Sequence, residues 1–97
     1  MDRLIDDRIY IRTSGRAEGP VLLLHHALGA CLKMWDPQLP ELEQHFRVIR
    51  MDMRGHGQSQ APEGPYRLED LADDAARVLD ALGVACCSYM GLSIGGM

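Results

Sequence analysis

The run Val21-Leu22-Leu23-Leu24 is short, unbroken and apolar, the pattern of a strand covered on both faces rather than one with a face open to water. It follows Gly19-Pro20 and stops at His25-His26-Ala27-Leu28-Gly29. Ahead of it, Leu4 to Thr13 mixes apolar and charged residues around Ile9-Tyr10-Ile11, which with the break at Ser14-Gly15 predicts one or two edge strands. A second inner strand is predicted from Phe46 to Met53, closed by the glycine turn Arg54-Gly55-His56-Gly57. A third, Val84 to Met90, runs into Gly91-Leu92-Ser93-Ile94-Gly95-Gly96-Met97.

Helical periodicity fills the gaps between these strands. Asp36-Pro37 reads as an N-cap followed by proline at the first helical position, with Leu39, Leu42 and Phe46 as the buried stripe and Pro40 tolerated in the first turn. After the Gly64-Pro65 loop, Leu68, Leu71, Ala72, Ala75, Val78, Leu79 and Leu82 share one face of a helix, and Glu69, Asp70, Asp73, Asp74, Arg77 and Asp80 share the other. Gly83 then serves as the C′ residue. Strands alternating with helices imply right-handed crossovers, hence an α/β fold with a mostly parallel sheet and flanking helices. No repeat or linker divides residues 1–97, which read as part of one core domain.

Composition narrows the function classes. A chain of 97 residues, 46% apolar and 25% charged, is globular in character and holds one domain at most. A net charge of -4 offers no basic stripe for a phosphate backbone, so nucleic acid is excluded as a partner. Charges interrupt the apolar residues of Met1-Asp2-Arg3-Leu4-Ile5-Asp6-Asp7, so neither a signal-peptide core nor a membrane span can be drawn there. Cys31 and the adjacent Cys86-Cys87 form an odd set without C-x-x-C spacing, which suggests buried thiols in a reducing cytoplasm rather than disulfides or a zinc site.

The chemistry concentrates at the end of the third strand. Gly91-Leu92-Ser93-Ile94-Gly95 fits G-x-S-x-G, a sharp strand-to-helix turn that lifts a serine hydroxyl clear of a sheet and needs glycines where a Cβ would collide. Such a pattern arises by chance in roughly 3% of chains this long, so its context decides its meaning. That context is a strand before it and, after the first inner strand, His26-Ala27-Leu28-Gly29, from which backbone N–H groups could meet a developing oxyanion. The Leu28 and Ile94 N–H groups are the candidate donors. His25 reads as a strand-closing residue and His45 as a surface helix residue. In Asp52-Met53-Arg54-Gly55-His56-Gly57-Gln58-Ser59 no phosphate-binding spacing is present, so the segment reads as a structural turn with His56 a hydrogen-bonded loop residue.

Taken in order, His26-Ala27-Leu28-Gly29, Trp35, Asp52-Met53-Arg54-Gly55-His56-Gly57-Gln58-Ser59 and the serine turn resemble the α/β-hydrolase superfamily over nearly the whole chain. Leu92 before the serine and Met97 after the glycines look most like the 3-oxoadipate enol-lactonases. That resemblance implies hydrolysis of a small-molecule ester or enol-lactone in aromatic-compound catabolism, with Ser93 as nucleophile, Gly91, Gly95, Gly96 and His26 shaping the site, and neither metal nor organic cofactor. Ala27 departs from the glycine usual after the oxyanion-loop histidine, and Arg67 from the usual Thr or Ser helix cap.

In this fold the acid and the histidine base follow the serine. They are therefore expected beyond residue 97, and the chain is expected to be the N-terminal part of a longer or cleaved protein that is inactive without its C-terminal segment. Other readings stay open: a carboxylesterase, a C–C bond hydrolase, a cofactor-free haloperoxidase-like protein, a non-catalytic piece that complements a partner chain, or an internal triad using His26 and Asp52.

Overall fold

The computed structural model describes residues 2–5, 8–27, 30–59 and 67–91. Strands β1 (Asp2–Ile5), β2 (Ile9–Gly15), β3 (Val21–His25), β4 (Arg47–Met51) and β5 (Ser88–Gly91) form one sheet in the order β1-β2-β4-β3-β5. Its centre is parallel, β3 lying between β4 and β5, while β1 and β2 form the antiparallel flank. The apolar inner strand therefore takes its expected place, and β1 is an edge strand as predicted, but β2 lies between β1 and β4 and continues through Ser14-Gly15 instead of breaking there. A 3₁₀ helix (Leu32–Gln38) leads directly into the four-residue α1 (Leu39–Leu42), and α2 is Leu68–Ala81.

Strand alternation divides the core between the two faces of the sheet. Leu22, Leu24 and Val48 pack with Trp35 and Leu39 on one face. Leu23, Ile49 and Met51 pack with Ile5, Ile9, Ile11 and Val78 on the other. This is why Val21-Leu22-Leu23-Leu24 carries no polar residue: both pleats of β3 are covered. Each fully buried aliphatic side chain there contributes about 1.5–3 kcal/mol.

Five local expectations are corrected. Turn structure begins at Leu32 rather than Asp36, because the carboxylate of Asp52, twenty residues away in sequence, accepts the Leu32 N–H at 2.7 Å. Asp36 instead accepts from Arg50 Nη1 at 2.7 Å, and Arg50 is buried. The second inner strand pairs only over Arg47–Met51, narrower than Phe46 to Met53.

The third strand pairs only over Ser88–Gly91, because α2 ends in a Schellman motif that holds the chain back. There Gly83 takes a φ of +70°, its N–H reaches the Asp80 carbonyl, and the Val84 N–H reaches the Leu79 carbonyl. The cysteines are not uniformly buried either: Cys86 is exposed, and Cys31 and Cys87 are half-buried, all three as free thiols.

The stripe of α2 is rotated from the one its periodicity suggests. Leu71 and Val78 are buried as expected and Ala75, Leu79 and Leu82 pack on the core, but Leu68 is 48% exposed and Asp74 only 3%. The cause is Arg54, whose Nε and Nη2 hold the Asp74 carboxylate at 2.7 and 2.8 Å. At the helix start Arg67 has no acceptor to offer, so Asp70 closes the cap from inside by accepting the Arg67 N–H at 2.9 Å.

Candidate active site

Parallel strands that lie side by side end side by side, and the register of β3 and β5 pairs His25 with Gly91. The chain thus leaves β3 for His26-Ala27-Leu28-Gly29 and leaves β5 for Leu92-Ser93 at adjacent points on one rim of the sheet. That rim, the C-terminal ends of parallel strands, is where open α/β sheets bind ligands. Gly91 sits there half-buried. Ser93, Ile94, Gly95, Gly96 and Leu28, the other residues assigned to the site, lie outside the described residues.

His26 is completely buried and both its ring nitrogens are engaged. Nδ1–H donates to the Ala27 carbonyl at 2.7 Å, and Nε2 accepts the Met53 N–H at 2.8 Å. That second bond ties the exit of β3 to the exit of β4. Burial lowers the pKa of His26, and the nearby His56 acts in the same direction, so the ring is held neutral in one tautomer. The Ala27 N–H, where the superfamily usually has glycine, donates to Met34 Sδ at 3.4 Å.

Asp52 gathers the neighbouring loops. Its carboxylate accepts the Leu32 N–H at 2.7 Å and the Gln58 N–H at 2.9 Å, and its carbonyl accepts the Ser59 hydroxyl at 2.6 Å. Ser59 Oγ in turn accepts the Tyr10 N–H from β2. Gly57 takes a φ of +50°, and a Cβ there would collide with the Asp52 carboxylate. The segment 52–59 is thus the structural turn that its sequence suggests, with His56 Nδ1–H on the Arg54 carbonyl at 3.1 Å.

An internal triad of His26 and Asp52 does not survive this geometry. A general base needs a free ring nitrogen and an orienting acid needs its oxygens on the imidazole. Here His26 Nε2 is spent on Met53, while the Asp52 oxygens are spent on Leu32 and Gln58. Sequence reasoning missed Asp52 as the organising residue and the Arg54–Asp74 pair. The available signal was an aspartate directly after an inner strand and followed by two closely spaced glycines.

His25, read as a strand-closing residue, has a more specific setting. It is 2% exposed, Nδ1 lies 2.7 Å from the Tyr89 hydroxyl on β5, and Nε2 has no partner among the described residues. Burial, reinforced by His26, brings its pKa down to about 4, so it is neutral at neutral pH.

The parallel sheet, the covered inner strand and the paired rims of β3 and β5 define an α/β hydrolase, and residues 20–97 match the alpha/beta hydrolase fold family. The chain belongs to that family. It is 39% identical over 85 residues to 3-oxoadipate enol-lactonase 2 of Acinetobacter baylyi, an alignment covering 88% of this chain and 32% of that protein. Epoxide hydrolase 4 of Mus musculus is 35% identical over 92 residues, covering 93% of this chain and 26% of that protein.

The crystal structure of the enol-lactonase from Burkholderia xenovorans superposes with a TM-score of 0.91 at 39% identity, over 98% of this chain and 38% of that one. The chain thus spans about a third of the length of the relatives it matches. Among the described residues, no helix is long and apolar enough to cross a membrane.

Proposed function

We propose that this chain supplies the nucleophile and the oxyanion-binding portion of a cytoplasmic serine hydrolase acting on a small-molecule ester or lactone, an enol-lactone of the 3-oxoadipate type foremost. Ser93 Oγ adds to the substrate carbonyl, and the Leu28 and Ile94 N–H groups stabilise the oxyanion. The ring C–O bond breaks, the enolate oxygen stays tethered to the acyl group and takes the proton held by the histidine, and water then releases the acid from the acyl-enzyme. The histidine that takes the serine proton and its carboxylate partner come from the C-terminal segment, on the same or a separate chain. Metal and organic cofactor have no part in this scheme.

The observation that carries the proposal is the His25–Gly91 register, which brings the exits of β3 and β5 to one rim. The full engagement of His26 and Asp52 with backbone groups supports a base from elsewhere. Similarity to two enol-lactonases supports the substrate class. A second reading, another hydrolase of this fold, draws support from the comparable identity to epoxide hydrolase 4.

In the complete protein, a fluorophosphonate is expected to modify Ser93, and Ser93→Ala to lose both the label and turnover. A folded complete protein that is never modified at Ser93 overturns the serine mechanism. Product analysis on enol-lactones, simple esters and epoxides then fixes the substrate, and faster hydrolysis of simple esters would move the protein to the carboxylesterases.

A further inference from the structure

The strand that delivers Gly91 to the rim is, like β1, short and paired on one side only among the described residues. β5 has four residues, pairs only with β3 among the described residues, and exposes Tyr89 and Met90 by 47% and 45%. Its backbone pairing runs Leu22–Ser88, Leu23–Tyr89, Leu24–Met90 and His25–Gly91, and it stops there. A short parallel ladder at an edge frays from its end, and the end of this one carries the serine turn.

One side-chain bond crosses that ladder diagonally. Tyr89, two residues before Gly91, lays its hydroxyl 2.7 Å from Nδ1 of His25, which is itself the residue paired with Gly91. The rings meet edge to face, with centroids 6.2 Å apart and planes at 88°. Among the described residues Nε2 is buried and unpartnered, so the polar bond of the ring there is the one between Nδ1 and the Tyr89 hydroxyl.

A buried imidazole whose bond among the described residues runs to the neighbouring strand is poorly chosen if its task is only to fill the core, where a leucine would serve. The position calls for a group that reaches across to β5.

We infer that His25 and Tyr89 are a positioning pair for the nucleophile: their hydrogen bond clamps the end of β5 to β3 and thereby sets the height of Gly91, from which the chain enters Leu92-Ser93. Neither residue touches substrate. This inference rests on Ser93 being the nucleophile. Misplacement of a reacting group by about 1 Å can cost up to a hundredfold in rate, so a clamp two residues from the turn acts on kcat and leaves substrate binding alone.

The experiment uses the complete protein and compares wild type with Tyr89→Phe, His25→Leu, the double variant, and His25→Asn, whose amide returns a donor near the Nδ1 position. The readouts are kcat and KM on the enol-lactone, the rate of Ser93 phosphonylation by a fluorophosphonate, and the melting temperature. Tyr89→Phe and His25→Leu should each lower kcat and the labelling rate about 10-fold, with KM changed less than about twofold.

The double variant should be no slower than either single one, and His25→Asn should recover kcat to within about threefold of wild type. Wild-type kcat and labelling in Tyr89→Phe and His25→Leu, with only the melting temperature lowered, overturns the positioning role while leaving Ser93 as nucleophile. If wild type is not labelled at Ser93 at all, the serine mechanism falls and the positioning role falls with it.

Discussion

The two flanks of β3 use their polar groups differently. On the β4 side, Asp52, His26, Ser59 and the Arg54–Asp74 pair are buried or half-buried and bonded to backbone or to each other. On the β5 side the strand is short, its side chains are open to solvent, and His25 reaches over with one ring nitrogen unpaired among the described residues. The contrast separates two kinds of polar residue that look alike in a sequence. Those of the β4 flank are consumed in holding loops together, which accords with the proposal that puts the chemistry on the segment after β5.

The largest expected effect tests the β4 flank directly. Asp52→Ala leaves the Leu32 and Gln58 N–H groups without their acceptor, and it should destabilise the protein by about 4 kcal/mol, measured by urea denaturation. A loss below about 1 kcal/mol would mean that solvent or another group replaces the carboxylate, and the contrast between the flanks would weaken.

Acid is the next probe, aimed at the boundary between the flanks. His25 has a folded pKa of about 4 against an ordinary value of 6.5, so the unfolded chain binds its proton first. Stability is then fully present above the unfolded value and is lost as pH falls from 6.5 toward 4, by up to about 3 kcal/mol. The groups that bear on His25 are His26 and His56, which lower its pKa further, and Asp74, which opposes them. Denaturation midpoints at several pH values in wild type and His25→Leu check this: the variant should have a clearly smaller slope in that window, what is left belonging to groups such as the buried His26, and an unchanged slope would assign it to other groups.

The smallest effect belongs to the open flank. Met90 is 45% exposed, and Met90→Ser should shift stability by no more than about 0.5 kcal/mol. A larger loss in the complete protein would show that Met90 is covered there.

Much of this arrangement was legible in the residues. Val21-Leu22-Leu23-Leu24 announced a strand with both faces covered, Gly83 announced the end of α2, and the segment after Met53 announced a structural turn. What stayed hidden depends on partners distant in sequence. The start of the 3₁₀ helix at Leu32 is set by Asp52, the burial of Asp74 by Arg54, and the tautomer of His26 by Met53. Helical periodicity sees only neighbours three and four residues away, so it assigned Asp74 to solvent and Leu68 to the core. The late start of β5 has the same origin, because the capped end of α2 uses the chain that a strand from Val84 would need.

Asp52 joins the segment entering the 3₁₀ helix to the loop after β4 through one carboxylate and two peptide N–H groups. Small proteins often fasten such loops with a disulfide or a bound metal ion. A carboxylate cross-link needs neither an oxidant to form nor a cation to fill it, so this junction should hold unchanged in the presence of thiol reductants or chelators.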